Sequence, residues 1–325
     1  MPVIKHSDYQ PPFWLPNGHF QTIYPSLFRK VEGINYQRVR LDTPDHDFLD
    51  LDWSKVPPLS AHKSNPLLIL CHGLEGDSTR QYITGMVSLF NHKGFDCLAW
   101  NYRSCSGEVN KQLRFYHSGA TDDLDFVVRY ASKTYTEIYL MGFSLGGNLT
   151  LKYLGEKGEN LAPEIKKAVT FSVPLHLSGS SSKMESWQDW VYTRRFNKTL
   201  TKKILEKAKY FPEKINTSNI SKIRTLRDFD NYYTSQLHGF KDAEDYYHRN
   251  SSVFFIDKIA IPTLIVNAQN DPFLSKECFP FDKAKSLEKV YFQAPAKGGH
   301  CGFLQKKFEG ILWSENRAFD FLTHS

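Results

Sequence analysis

The stretch 138–154 constrains the fold of this 325-residue chain more than any other. It opens with a short apolar run, 138–141, which is typical of a buried strand, and continues with the residues Gly-Phe-Ser-Leu-Gly. From Leu145 onward the apolar residues recur at helical spacing. A strand, a G-x-S-x-G turn and a helix, in that order, are the pattern of a nucleophile elbow, which holds a serine on a sharp turn. The pattern therefore predicts that Ser144 is a nucleophile.

The glycines two positions before and after Ser144 have a steric reason. A strand and a helix that pass close beside the serine would collide with a Cβ atom at these positions, and glycine has none. The first N–H groups of the helix are unpaired, so they would lie where negative charge develops during acyl transfer. The alternative interpretation is a glycine-rich turn with an incidental serine, which the flanking strand and helix disfavour.

Composition limits the class of protein. Hydrophobic residues make up 41% of the chain and charged residues 23%, as in ordinary soluble globular proteins. No apolar run approaches the length of a membrane span, and the N-terminus lacks the apolar segment of a signal peptide. The five cysteines, at irregular spacings, fit neither a disulfide framework nor a zinc site. We therefore expect a cytoplasmic protein without a membrane span.

The formal charge of +6 is concentrated in one part of the chain. Residues 176–250 contain 14 Lys and Arg against 9 Asp and Glu. A basic face can attract anionic substrates or make a peripheral contact with a membrane surface, although a solvated helical surface is the simpler interpretation. No nucleic-acid-binding motif accompanies this charge, so we expect no nucleic-acid partner.

The segments around the elbow alternate between strand and helix patterns, which predicts a mostly parallel sheet with helices on both faces. The proline-rich and aromatic residues 1–30 are too broken by proline for a long helix and are expected to form an arm packed over the core. The predicted elements are an antiparallel hairpin (36–41 and 48–53), strands at 66–71, 95–100, 138–141, 167–173, 262–267 and 290–292, and helices at 81–93, 118–130, 145–154 and 308–322.

The alternation is interrupted between the strands at 167–173 and 262–267. The lysine-rich intervening residues have helical spacing and no convincing buried strand, which predicts a helical cap inserted into the core. The expected organisation is a first part of the core with the N-terminal arm (1–174), the cap (175–250) and a second part of the core (251–325).

A serine nucleophile needs a base to accept its proton and a third group to orient that base. After an elbow of this kind, the acid and then the histidine follow along the chain. Asp271 comes directly after the predicted strand 262–267, at the strand end where ligand-facing residues lie. A turn residue is the alternative for Asp271, since Asn-Asp-Pro is also good turn chemistry. Asp230 and Asp257 are competing acids, but the first lies in the predicted cap and the second precedes its strand.

The best candidate for the base is His300. It follows the last predicted strand, and the glycines on both sides would let its loop approach Ser144 without side-chain clashes. His176, His238 and His248 lie in or beside the predicted cap, where they could touch a substrate.

Acyl transfer also needs N–H groups that point at the developing oxyanion. The backbone of Leu145, directly after the nucleophile, is one expected donor, and Leu74 in the loop 72–76 is the other. The pair His72 and Asp77 also has the H-x-x-x-x-D spacing associated with glycerolipid acyltransferases. That spacing often arises by chance, so acyl transfer to a lipid is a minor alternative.

Taken together, these motifs resemble the α/β-hydrolase superfamily and, within it, the YheT-like branch of esterases. The resemblance covers nearly the whole chain, and its blocks keep the order of the branch: 12–22, 72–76, 101–103, 142–148, 224–230, 271–273 and 298–303. It implies an α/β-hydrolase fold with Ser144, Asp271 and His300 as a catalytic triad that hydrolyses carboxylic esters without a metal or cofactor. Some animal relatives in this branch carry an N-terminal membrane anchor and act on phospholipids, whereas we expect no such anchor in this protein.

We therefore expect a carboxylesterase-type serine hydrolase that cleaves a small-molecule ester or lipid through an acyl-enzyme intermediate. A lipid-directed activity, lysophospholipase-like or acyltransferase, is one alternative. A hydrolase fold that binds a ligand without catalysis is the other. The acyl chain length and the oligomeric state are left open by the sequence.

Overall fold

The structure, a computed structural model, describes residues 3–58 and 64–324. Nine strands lie within these residues: β1 Val3–Ile4, β2 Gln37–Asp42, β3 Phe48–Ser54, β4 Leu67–Cys71, β5 Asp96–Asn101, β6 Ile138–Phe143, β7 Ile165–Phe171, β8 Thr263–Val266 and β9 Val290–Gln293. They form one sheet in the order β1-β9-β8-β7-β6-β4-β5-β3-β2. The strands from β1 to β5 in this order are parallel, and β3 and β2 extend that edge in antiparallel pairing.

Helices cover both faces of this sheet. They are α1 Gly18–Phe28, α2 Gln81–His92, α3 Thr121–Ala131, α4 Leu145–Lys157, α5 Leu177–Met184, α6 Trp190–Ala208, α7 Leu226–Phe229, α8 Ser235–His238, α9 Ala243–Asn250, α10 Phe281–Lys285 and α11 Trp313–Thr323. Along β4, Leu67 and Ile69 point into one hydrophobic cluster with α3 and α4, whereas Leu68 and Leu70 point into a second cluster with α2 and α11. A sheet buried on both faces is expected for parallel strands connected by helices.

The predicted sheet and its antiparallel hairpin are confirmed, and the structure adds two elements and corrects the start of a third. The proline-rich arm contains the helix α1, which Asn17 caps by accepting a hydrogen bond from the Phe20 N–H at 3.1 Å. The last helix begins at Trp313, five residues later than predicted. The short edge strand β1 was not predicted, because two residues carry no readable alternation.

The chain between β7 and β8 is helical and contains α5 to α9, which we interpret as the predicted cap. Part of it forms its own hydrophobic cluster, which includes Leu200 and Ile204 of α6 and also Phe115 from the core. Lys207 of α6 ties the same helix to the core, because its buried ammonium group donates to the Asn110 side-chain oxygen at 2.6 Å and to the Gln112 carbonyl. Burial lowers the pKa of Lys207 to about 8.

Among the described residues, no helix is long and apolar enough to cross a membrane. The five cysteines all have free thiols and are buried.

Candidate active site

Ser144 occupies the sharp turn between β6 and α4. Its backbone has a φ of 53°, a left-handed conformation that is strained for a residue with a side chain. Two glycines make the turn possible. A Cβ atom on Gly142 would lie 2.4 Å from the Gly146 carbonyl oxygen, and one on Gly146 would lie 2.3 Å from the Cys71 carbonyl oxygen. The local geometry is therefore that of the predicted elbow, with the serine side chain at the carboxyl end of the sheet.

Asp271 and His300 meet at the same end of the sheet. The Asp271 loop follows β8 and the His300 loop follows β9, and the His300 Nδ1 lies 2.8 Å and 3.1 Å from the two carboxylate oxygens. Burial alone would lower the pKa of His300, but the Asp271 carboxylate outweighs burial and raises that pKa above the ordinary histidine value. The carboxylate therefore fixes the proton on Nδ1 and leaves Nε2 as the nitrogen that can accept a proton.

Ser144 and His300 line the same two cavities. Within the described part of the chain, no hydrogen bond joins the serine hydroxyl to the imidazole. Hydrogen bonds between a nucleophile and its base are often long in the absence of substrate and tighten in the Michaelis complex. The structure thus places Asp271 in direct contact with His300, and it places Ser144 and His300 in the lining of the same two cavities.

The two predicted oxyanion donors have free N–H groups beside the serine. Leu145 is the first residue of α4, where a helix leaves its N–H groups without intrahelical partners. In the loop after β4, the N–H groups of Gly73 and Glu75 donate to tyrosine hydroxyls at 3.1 Å and 2.9 Å. The Leu74 N–H between them has no partner among the described residues. This loop therefore presents one free donor, at the predicted position.

The N-terminal helix α1 holds the His300 loop, a role that the sequence analysis missed. Thr22 accepts a hydrogen bond from the His300 N–H at 2.8 Å and donates to the Gly18 carbonyl at 2.6 Å. Gln21, fully buried, accepts from the Gly298 N–H at 2.8 Å and from the Asn270 side chain at 3.0 Å. The sequence does contain a signal for this role: Gln21 and Thr22 are polar residues in an otherwise apolar, proline-rich segment. Polar side chains that become buried need specific hydrogen-bond partners.

His72 is structural in this fold. The side chain is buried, its Nε2 accepts from the Tyr102 N–H at 3.3 Å, and its Nδ1 lies 2.8 Å from the Gly73 carbonyl. Burial lowers the pKa of His72 to about 4, so the ring is neutral. Asp77 instead accepts hydrogen bonds from Thr79. Since both ring nitrogens of His72 are engaged with the backbone, the H-x-x-x-x-D pair does not form a catalytic site.

Neither competing acid has a hydrogen bond or ion pair with His300 in the described part of the chain. Asp230 lines one cavity, where Tyr247 donates to its carboxylate at 2.6 Å and burial raises its pKa to about 6. Asp257 forms a surface ion pair with Lys283 at 3.2 Å.

Only one of the three other candidate histidines, among the described residues, lines a cavity at Ser144. His238 does so, and its ring is fixed by the backbone: Nδ1 donates to the Thr234 carbonyl at 2.8 Å, and Nε2 accepts from the Phe115 N–H at 3.1 Å. His176 caps α5, and its Nδ1 accepts a hydrogen bond from the Gly179 N–H at 3.0 Å. His248 lines a separate surface depression. Of these three histidines, none shares the contact with Asp271 that His300 has.

Two cavities meet at Ser144 and His300, and both are also lined by Leu74, Phe196 and Phe273. The inner cavity extends under the cap. Its apolar lining includes Leu145, Leu177, Met184, Leu200, Leu226 and Phe229. The outer cleft runs between α1 and α6 and is lined by Ile23, Leu27, Arg80, Val191 and Arg195, among others.

Residues 66–307 match the alpha/beta hydrolase fold family. The chain is also 36% identical to the Escherichia coli protein named "Putative esterase YheT" over 313 residues, which cover 94% of this chain and 90% of that relative. The chain therefore belongs to the α/β-hydrolase family. Within it, the hydrolase falls in the YheT-like branch, as the motifs predict.

Two further relatives of this hydrolase carry lipid-related names. Phospholipase ABHD3 of Mus musculus is 28% identical, with 94% of this chain and 75% of the relative covered. A monoacylglycerol lipase of Saccharomyces cerevisiae is 30% identical, with 92% of this chain and 76% of the relative covered. A solved esterase from Pyrococcus furiosus is similar in fold, with a TM-score of 0.58, 16% identity and 98% of each chain aligned.

The contact between α1 and the His300 loop predicts a positioning role for Thr22. Replacement of Thr22 with Val removes the oxygen that holds the His300 N–H, whereas Thr22→Ser keeps it. We expect Thr22→Val to lower kcat on a soluble nitrophenyl ester by about 10- to 100-fold with little change in KM, because a misplacement of about 1 Å has costs of this size. Thr22→Ser should stay close to wild type. Equal kcat values in the two variants would contradict this role.

Proposed function

We propose that the protein is a serine esterase that hydrolyses carboxylic esters with an apolar acyl group, with Ser144 as nucleophile, His300 as base and Asp271 as orienting acid. The hydrogen bond of 2.8 Å between His300 and Asp271, next to a serine on a strained elbow, carries the proposal. Such a pair gives a weak hydroxyl nucleophile the base that it needs.

The reaction proceeds in two balanced halves. The Ser144 Oγ attacks the acyl carbon while its proton moves to the His300 Nε2. The tetrahedral intermediate then collapses, the bond to the leaving oxygen breaks, and the imidazolium gives its proton to the departing alcohol. A water molecule attacks the acyl-enzyme with His300 again as base, and the free acid leaves with Ser144 restored.

Two features of the site would stabilise the charges that this reaction creates. The N–H groups of Leu74 and Leu145 would donate to the carbonyl oxygen as it becomes an oxyanion, and one such donor is worth about 10²- to 10³-fold in kcat in a comparable hydrolase. The Asp271 carboxylate stabilises the imidazolium, because it raises the pKa of His300. A protonated histidine is then formed at lower cost in the transition state.

The lining of the inner cavity supports an apolar acyl group as the part of the substrate that binds there. Aliphatic and aromatic side chains predominate in this cavity, and it opens directly onto Ser144. Each methylene group buried in such an environment contributes roughly 0.8 kcal/mol. The names of the relatives, an esterase, a phospholipase and a monoacylglycerol lipase, are compatible with this class of substrate.

The nucleophile assignment is tested with Ser144→Ala and with a fluorophosphonate probe. We expect the variant to lose ester hydrolysis by several powers of ten and to lose labelling by the probe, with an unchanged circular dichroism spectrum. The matched control is Ser221→Ala, an exposed serine in the cap. Retained turnover in the folded Ser144→Ala variant would overturn the assignment. An unlabelled, inactive wild-type protein would favour the non-catalytic alternative.

The interaction between Asp271 and His300 predicts a pH dependence. His300 accepts a proton only when it is neutral, so kcat/KM should fall as the pH drops through the pKa of His300. Because Asp271 raises that pKa, this fall should begin above the ordinary histidine value of about 6.5. Asp271→Asn should move the fall to lower pH and reduce kcat by about 10⁴-fold, as loss of this carboxylate does in a serine protease.

Initial rates in a pH-stat would measure both effects. The control is Asp257→Asn, which removes a surface carboxylate and should leave the pH profile unchanged. A profile that does not move in the Asp271→Asn variant would contradict the proposed interaction.

The inner cavity predicts a dependence on acyl chain length. Met184 lines this cavity at the end of α5 and does not line the outer cleft. Met184→Trp should shorten the cavity and lower kcat/KM for a decanoyl ester by at least about tenfold relative to an acetyl ester. Met184→Leu, which nearly conserves volume, should keep the wild-type ratio. An unchanged ratio in the Trp variant would show that the acyl chain binds elsewhere.

A further inference from the structure

The helix α1 buries one face and exposes an apolar one. Its buried residues, which include Gln21 and Thr22, hold the His300 loop. The opposite face, at helical spacing, carries five aliphatic or aromatic residues that are exposed to solvent, Phe20, Ile23, Tyr24, Leu27 and Phe28, with exposed Ser26 at its edge. Helices at protein surfaces normally present polar residues to water. An apolar outer face is therefore a feature that needs an explanation.

The start of α6 has the same character on the other side of the outer cleft. Trp187 is 84% exposed, and Trp190 and Val191 are more than half exposed. A contact of 3.3 Å between His19 and the Tyr192 hydroxyl joins the two helices next to these residues. Phe13, 90% exposed, and Trp14 precede α1. We call these residues the apolar rim: Phe13, Trp14, Phe20, Ile23, Tyr24, Leu27, Phe28, Trp187, Trp190 and Val191.

Cations without carboxylate partners accompany the apolar rim. Arg194, Arg195 and Lys198 on α6 are exposed, and no ion pair joins any of them to an acid among the described residues. The sequence contains no Asp or Glu in 9–31 or in 190–205, the two segments that form most of the rim. A patch that is apolar, aromatic and cationic at the same time matches the interface of a bilayer that contains anionic lipids.

We propose that the apolar rim docks on the surface of a bilayer that contains anionic phospholipids. The aromatic side chains enter the headgroup region, and the three cations contact lipid phosphates. The outer cleft, which Ile23, Leu27 and Val191 line, then opens onto the lipid and leads to Ser144. Docking itself is independent of the catalytic assignment, whereas the delivery of a lipid ester to Ser144 rests on the proposed function. A protein partner on the rim would instead cover the mouth of the cleft.

Sedimentation with vesicles tests the docking on the full chain. The Ser144→Ala protein is used, so that no lipid is hydrolysed during the measurement. We expect binding to phosphatidylcholine vesicles that contain phosphatidylglycerol, and weaker binding to pure phosphatidylcholine. Substitution of Arg194 and Lys198 with Gln should weaken binding to the anionic vesicles by about fivefold for each cation removed, and added salt should do the same.

The apolar contribution is tested with Phe13→Gln, Phe28→Gln and Trp187→Gln together. None of these residues lines either of the two cavities at Ser144. A triple variant that retains Ser144 should therefore hydrolyse a soluble short-chain ester at the wild-type rate, which also shows that it is folded. We expect vesicle binding to fall at least about tenfold. The matched control is Tyr210→Gln, an exposed aromatic residue just beyond the other end of α6, which should bind as the parent does.

Three results would overturn the docking proposal. The first is no binding of the parent protein to anionic vesicles, and the second is equal binding by the triple variant and the control. The third is a concentration-dependent dimer that the parent and the control form and the triple variant does not, because a second copy of the chain would then cover the rim. Failure of the catalytic proposal has a different signature, because an unreactive Ser144 leaves vesicle binding unchanged.

Discussion

The hydrogen bond between the Asp271 carboxylate and the His300 imidazole is the interaction on which the candidate site depends. The two side chains come from loops after β8 and β9, and both are held in a nearly dry environment. A buried carboxylate without this partner would be unstable, and the ring without the carboxylate would lose its fixed tautomer. The bond therefore links the stability of the loops to the basicity of the imidazole. The helix α1 adds a third anchor, because it holds the backbone of the His300 loop.

Two cavities meet at Ser144 and at the His300 of this pair. The inner cavity lies under the cap and is apolar, whereas the outer cleft lies between α1 and α6 and reaches the apolar rim. An ester with its carbonyl at Ser144 could place its acyl chain in the inner cavity and its alcohol part in the outer cleft. The helix α1, which holds the loop of the proposed base His300, also forms one wall of the outer cleft. It therefore connects the surface of the protein to the proposed site.

The sequence predicts the fold and the elbow well, because both depend on local patterns and on the order of motifs along the chain. The alternation of strands and helices, and the glycines around Ser144, are local signals of this kind. By contrast, His300, the partner of Thr22, lies 278 residues later in the chain, and Asn110, the partner of Lys207, lies 97 residues earlier. No periodicity encodes such contacts. For the same reason, neither the shape of the cavities nor the exposed face of α1 could be read from the sequence.

The central claim is that an acyl group passes through Ser144. Rapid acid quenching of the enzyme during turnover of a nitrophenyl ester, followed by proteolysis and mass spectrometry, tests this claim most directly. The account predicts a mass increase equal to the acyl group on the peptide that contains Ser144, which disappears once the ester is consumed. Two results would contradict this claim. One is full turnover with the acyl group on another residue, and the other is full turnover with no acyl group on the Ser144 peptide during the burst phase.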